Sequence, residues 1–307
     1  MLGEIAITPD VFTETGHRSP EAAHAYLQML KEPLLEEVLV RDLWAGDWRR
    51  SLSEIPCSPM GKEVLKKLTR DGRLREVPPF GQASPVTDEG WCSEALASCK
   101  EPGGKLDCIL TTDSTKQRFG NETLVTNLER VSSHPWWQRR SSSIEVRRSS
   151  DEYALHLDRI LKCANSFMFI DPHLDPTEYR YSQFCRLLKM AERTSVQPRI
   201  EIHRVCYKGG GAQREIVKDW QSRFETALRP KMAGSPLHIN VYIWDDCHER
   251  YLITNIFSIH LGNGFDVDQS KTTWSRLGKG QRDNLQREFD EASGQHTLRE
   301  KFTITFQ

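Results

Sequence analysis

Short apolar runs that stop at an aspartate or a proline alternate with amphipathic helical segments, and this order constrains the fold more than any other feature. EIAITPDVF reads as a strand that ends at Pro9 and Asp10. SPEAAHAYLQMLKEPLLEEVLVRDL follows, with Ser19 as a helix cap, Pro20 in the first turn and apolar residues at helical spacing. Pro33 is expected to divide this stretch into two helices. MGKEVLKKLTRDGRLREVP reads as a helix closed near Asp71 and Gly72, then a short strand. TDEGWCSEALASCK is a helix, EPGGK a turn and KLDCILTTD a strand. Alternation of this kind predicts an α/β fold with a mostly parallel, Rossmann-like sheet and helices on its faces.

A chain of 307 residues is long enough for two domains. The basic, serine-rich stretch HPWWQRRSSSIEVRRSS marks the boundary, so residues 131–150 read as a linker between an α/β domain over 1–130 and another over 151–307. Trp136 and Trp137 beside Arg139 and Arg140 also have the makings of a patch that stacks on bases and pairs with phosphates. The second domain reads as helix DEYALHLDRILKCANSF, strand SFMFIDPHL, helix YSQFCRLLKMAE and strand PRIEIHRVCY. The glycine break KGGGAQ, a long helix REIVKDWQSRFETALRP and the strand LHINVYIWDD follow. A hairpin, the helix GKGQRDNLQREFDEAS and the strand REKFTITFQ complete it.

Hydrophobic residues make up 37% and charged residues 28%, with a net charge of −1 and a pI near 6.8, so a site for polyanions must be local. No apolar run approaches the roughly 20 residues that span a bilayer, and MLGEIAITPDVF lacks a signal peptide's basic start and apolar middle. The eight cysteines form no CxxC pair and read as thiols. These features together predict a cytoplasmic protein.

CHERYLITNIFSIHLGNGFD carries a more specific signal. His248 and Arg250 share a face if this segment is extended, and the turn after Gly262 offers backbone N–H groups to an anion. The spacing resembles the phospholipase D superfamily motif: His-x-Lys, four residues, Asp, six residues, then Gly-Ser-x-x-Asn. This chain has His248-Glu249-Arg250, then Asn255, then Gly262-Asn263-Gly264-Phe265-Asp266 in the same register. With MFIDPHLDP and QFCRLLKM, residues from about 150 to 307 are similar to the phospholipase D-like C-terminal domain of MIT-domain proteins. The resemblance implies a phospholipase D-like fold that dimerises and binds anionic surfaces more than it catalyses. His248, Arg250, Asn263 and Asp266 are then its phosphate-binding residues. Arginine can clamp phosphate bidentately, whereas Asn255 stabilises an imidazolium less well than aspartate. Asp171-Pro172-His173 ends a strand and either lines this site or caps a loop.

Acidic residues stand out in the first domain. Asp10 and Asp113 end strands, Asp88 opens a helix, and Glu36 and Glu37 lie on an early helical stretch. Strand-end carboxylates on a parallel sheet converge at its C-terminal edge, where they can hold Mg²⁺ or Mn²⁺ for phosphodiester cleavage. Over about residues 3–125 this layout resembles a PIN-type nuclease domain. Asp88 to Ala95 keeps its Asp-x-x-x-x-x-x-Ala spacing, and ILTTD matches its last strand. The resemblance implies Asp10, Asp88, Asp113 and Glu37 as catalytic residues, the three aspartates holding the metal. Lys208 and the glycines after it lack a P-loop's Lys-Ser/Thr end and read as a turn. His203, His238 and His260 read as sheet residues.

Three functions remain open at this point. The chain is a metal-dependent nuclease acting on RNA or DNA, possessing a C-terminal domain that dimerises or binds phosphate, in a nucleic-acid-processing or defence complex. Alternatively, it is an adaptor whose C-terminal domain binds a partner or an anionic surface. Thirdly, it is a dimeric, metal-independent nuclease that uses His248.

Overall fold

The computed structural model describes residues 1–100, 104–209 and 214–306. The chain divides into two compact units, Leu2–Ser141 and Ser142–Gln307, both mixtures of helix and sheet. The turn expected at EPGGK and the glycine break KGGGAQ lie largely outside the described residues.

Five strands form the sheet of the first unit: β1 (Gly3–Ile7), β2 (Val38–Asp42), β3 (Leu74–Glu76), β4 (Cys108–Thr111) and β5 (Val125–Asn127). They lie in the order β3-β2-β1-β4-β5, and every pairing is parallel. The connecting helices are α1 (Pro20–Glu36), α2 (Asp47–Glu54), α3 (Pro59–Arg70), α4 (Asp88–Ser98) and α5 (Asp113–Arg118), with the one-turn α6 (Pro135–Gln138) near the end. Ser19, Ser58 and Thr87 cap α1, α3 and α4 by accepting N–H bonds from Ala22, Gly61 and Gly90. Proline opens α1 and α3, where its missing N–H costs nothing.

Two expectations change here. Pro33 lies inside a single helix rather than between two, and VLVRD is the buried strand β2 rather than helix. The stretch 131–150 is no solvated connector. Trp136 is buried, Arg140 stacks on Trp137 and pairs with Glu37, and Ser143–Arg147 is strand β6 of the second sheet. Aromatic burial and strand pairing outweigh the polar composition that suggested a linker.

The second unit holds an eight-stranded mixed sheet. Its strands are β6, β7 (Ser166–Ile170), β8 (Arg199–Val205), β11 (His238–Trp244), β12 (Tyr251–Thr254), β13 (Ser258–Leu261), β14 (Lys271–Leu277) and β15 (Leu298–Thr305). A two-stranded ribbon, β9 (Tyr207–Lys208) with β10 (Glu215–Ile216), lies apart from it. The order is β15-β11-β8-β7-β12-β13-β14-β6. Strands β7, β8 and β11 run parallel, and all other neighbours run antiparallel. Helices α7 (Ser150–Cys163), α8 (Phe184–Met190), α9 (Trp220–Leu228) and α10 (Lys279–Glu288) complete the unit. The long helix expected from Arg214 shortens to α9, because Glu215 and Ile216 pair with Lys208 and Tyr207 instead. All eight cysteines are free, and no helix of the described residues is long and apolar enough to cross a membrane.

Candidate functional site

In the first unit the winding of the sheet reverses between β1 and β4, and side chains beyond the C-terminal ends of these strands frame a crevice. Thr8 follows β1 and donates its N–H to the Leu110 carbonyl at 2.9 Å, which brings Thr8 beside Thr111 at the end of β4. Asp88, the first residue of α4, reaches into this corner and is buried. Its Oδ2 accepts the hydroxyls of Thr8 (2.8 Å), Thr111 (3.1 Å) and Thr115 (2.7 Å), and its Oδ1 accepts the Asp10 N–H at 2.9 Å. Four donors fill a carboxylate's acceptor sites. Asp88 is therefore the fixed post around which the crevice is built.

Asp10 is the open carboxylate beside that post. It is half-buried in a one-turn helix (Pro9–Phe12), and its backbone carbonyl is tied by the Thr13 hydroxyl at 2.9 Å. Burial, followed by the charges of Asp88 and Glu89, pushes its pKa up, while His17 pulls it down. Asp113, exposed at the start of α5, accepts from the side-chain amides of Asn127 (2.7 Å) and Gln117 (2.8 Å). The structure thus brings Asp10, Asp88 and Asp113 to one edge of one sheet.

Glu37 lies elsewhere. Its carbonyl accepts the Gly3 N–H at 2.8 Å at the N-terminal end of β1, the opposite edge of the sheet. Its carboxylate is held by both Arg140 nitrogens, Nε and Nη2, at 2.6 and 2.8 Å. Glu37 is a structural ion pair, and its removal from the catalytic set follows from strand direction alone.

Sequence reasoning missed Asp42, which ends β2 at the same edge as Asp10. It is fully buried, accepts the Arg49 N–H at 3.0 Å, and has its pKa raised chiefly by burial. Directly after it, Trp44, Ala45 and Gly46 all have left-handed backbones, with φ of 59°, 51° and 93°. Two of these are not glycine, so the turn stores strain at the rim of the site. The signal was present in VLVRD, whose last residue is a strand-end aspartate once the run is read as a strand.

Among the described residues, no group of three or more His, Cys, Asp or Glu side chains is placed to hold a metal ion. A three-aspartate cage is therefore not what the crevice offers. Mg²⁺ is commonly held by one or two protein carboxylates, with water and substrate phosphate completing the shell. Asp10, open beside the fixed Asp88 and crowded by Glu89, suits that sparser mode.

The second unit gathers a different chemistry at the end of β7. Asp171 is fully buried and accepts the N–H groups of Phe265 and His173, each at 3.0 Å, and the Tyr181 hydroxyl at 3.2 Å. These bonds cinch the Gly262–Asp266 turn against β7. Gly264 has φ +86°, and a Cβ there would lie 2.3 Å from Asp171 Oδ2 and 3.3 Å from Arg250 Cδ. The stem of Arg250 therefore packs along the turn. Half-buried His173 has its pKa lowered first by burial and then by Arg250, Arg180 and Arg204, against the pull of Asp171.

Of the four residues expected to bind phosphate, Arg250 lies along the glycine turn and donates to the His248 carbonyl. His248 is exposed, with Nε2 at 3.3 Å from Asp246, and its carbonyl accepts from Arg250 at 3.1 Å. The side-chain oxygen of Asn263 accepts the Thr272 hydroxyl at 3.1 Å. Asp266 is buried and ion-paired with Arg148, so it carries negative charge already spent on an internal partner. His173, which feels the charges of Arg250 and Arg180, lies outside the motif, as does Arg180, itself ion-paired with Glu178 at 2.8 Å.

No protein-family model and no curated protein matches this chain. Two solved structures align loosely. One is TrmBL2, an archaeal chromatin protein whose structure shows a mode of DNA binding. It shares 13% identity over 82% of this chain and 86% of its own, at a TM-score of 0.29. The other is polyphosphate kinase from Porphyromonas gingivalis, at 10% identity and a TM-score of 0.28; the alignment takes in 92% of this chain but 44% of the kinase. At those scores neither neighbour assigns a fold family or an activity, and function is argued from the sites themselves.

Proposed function

We propose that the first unit is a PIN-like nuclease that hydrolyses phosphodiester bonds of RNA or DNA in the crevice between β1 and β4. One observation carries this reading: Asp10, Asp88 and Asp113, far apart in sequence, come to the edge where the parallel sheet reverses its winding. Asp88 orients the Asp10 loop through the Asp10 N–H. Asp10, open beside Asp88, is placed to ligate a cation that presents the attacking water. Asp113, held by two amides, stands on the other wall. An acidic crevice repels a phosphodiester unless a cation comes between them, so Mg²⁺ or Mn²⁺ belongs to this proposal, with Asp10 as the carboxylate left open to it and Asp88 holding the Asp10 loop in place. When bound, such an ion supplies charge neutralisation at the phosphate and an acidified water.

The test is cleavage of single- and double-stranded RNA and DNA by the full chain with Mn²⁺ and with EDTA. Cutting should need Mn²⁺ and fall at least about 100-fold in Asp10→Asn and Asp113→Asn. EDTA-resistant cutting lost in His248→Ala would move the chemistry to the second unit.

A second reading is favoured by Arg250 on the Gly264 turn, whose charge reaches His173. In it the second unit is a phospholipase D-like module that binds phosphate groups of a partner or a second copy and does no chemistry. Protein that cuts nothing in the assay above, yet binds phosphorylated ligands through Arg250, would establish this adaptor role.

A further inference from the structure

The first unit has a second hollow, between α2 and α3, of about 350 Å³. Leu52, Ile55, Cys57 and Leu65 make an apolar floor, and Lys62 and Lys66 line its rim together with Arg49, which is ion-paired with Asp42 and Glu76. The two flanks of α3 are electrostatically unlike. On one, Lys31 and Lys67 share Glu63 at 2.9 and 2.7 Å. On the other, Lys62 and Lys66 sit one turn apart, and neither side chain has a hydrogen-bond or ion-pair partner among the described residues. Like charges at that spacing repel, and an anion between them relieves the repulsion.

The hollow is also tied to the loop that carries Asp10. The first turn of α3 is pinned to the Asp10 loop: the Ser58 N–H donates to the Phe12 carbonyl at 2.8 Å, and a Cβ on Gly61 would lie 2.4 Å from that oxygen. Lys62 is the next residue. At the other end of the hollow, the Arg49 N–H is bonded to Asp42 at the C-terminal edge of β2. An apolar floor with two lysines at its rim suits an amphipathic anion, and a nucleotide meets it with its base face buried and its phosphate outward.

We propose that this hollow is a subsite for single-stranded nucleic acid. A base flanking the scissile bond lies on Leu52, Ile55 and Leu65, and the adjoining phosphates contact Lys62 and Lys66. The strand must be single, because a base reaches the floor only after leaving its stack. The assignment rests on the nuclease reading, and it answers that reading's main difficulty. With a net charge of −1, the protein needs local cations to draw a polyanion to an acidic crevice.

Binding of labelled ten-residue oligo(U) and oligo(dT) is measured by anisotropy between 50 and 200 mM NaCl, in full-length Asp10→Asn protein so that no cutting interferes. Adding Lys62→Gln with Lys66→Gln should weaken binding about 10-fold and make the slope of log K against log[salt] shallower by about 1.4. Lys62→Arg with Lys66→Arg should restore both, and a duplex should bind more weakly than either single strand. The oligo(U) and oligo(dT) arms separate RNA from DNA. Unchanged affinity and slope in the glutamine variant overturn the subsite, as does lysine-dependent binding of polyglutamate with oligonucleotides ignored. Lysine-dependent oligonucleotide binding by a protein that cuts nothing with Mn²⁺ keeps the subsite and sinks the nuclease. Cutting whose KM ignores both lysines does the reverse.

Discussion

At the scale of single residues, Asp10 and Asp88 do opposite things for the protein. Asp88 satisfies three buried hydroxyls and a backbone N–H. Asp88→Ala leaves these donors with no acceptor and should cost about 2–4 kcal/mol, read as a lowered urea midpoint. Asp10 is held in a place that disfavours its charge. Its raised pKa means its contribution to stability is present below the unfolded carboxylate value and lost as pH rises through the higher folded one. Near pH 7 the ionised form works against the fold. Asp10→Asn should therefore raise the melting temperature by about 2–4 °C at pH 7, with the gain shrinking towards pH 4, while cleavage is lost. A variant that melts lower at pH 7 would show that the carboxylate is structural. Glu37→Ala, by contrast, should leave cleavage intact and cost about 1–3 kcal/mol, because it strips a mostly buried Arg140 of its two-pronged partner.

Elements explain which parts of the fold were legible in the sequence and which were not. The strands β1, β4, β7, β8 and β11 announce themselves as apolar runs with polar ends, and they lie where the sequence puts them. VLVRD escaped because β2 is buried along its whole length, and a strand covered on both faces has no alternation to detect. Its apolar residues instead continued the helical spacing of α1. That one error hid Asp42 and let Glu37 pass for a site residue. In the second unit the motif located the Gly262–Asp266 turn correctly but misjudged Asp266, whose partner Arg148 is distant in sequence. The turn itself is sensitive to a single methyl group. Gly264→Ala must adopt φ +86° and displace the buried Asp171 carboxylate, so a loss of roughly 2–4 kcal/mol is expected in chemical denaturation. A loss below about 0.5 kcal/mol would mean that the turn is not cinched by Asp171.

One unit carries an acidic crevice and the other carries Arg250 on its glycine turn, in a chain whose 42 basic and 43 acidic residues nearly cancel. Each unit has its own sheet and its own buried apolar residues: Ile5, Val40, Trp48 and Ile109 in the first, Ile170, Val205, Trp244 and Ile253 in the second. Units built this way unfold as separate cooperative steps unless something couples them. Calorimetry of the full chain should then show two transitions, with Asp88→Ala lowering one and Gly264→Ala the other. The pairing of variant with transition is the informative part. Asp88 and its four donors all belong to the first unit, and Gly264 with Asp171 belongs to the second, so neither substitution touches the other's core. If both variants shift a single transition, the two sites share one cooperative structure, and a ligand held at Arg250 would then stabilise the first unit's crevice by linkage.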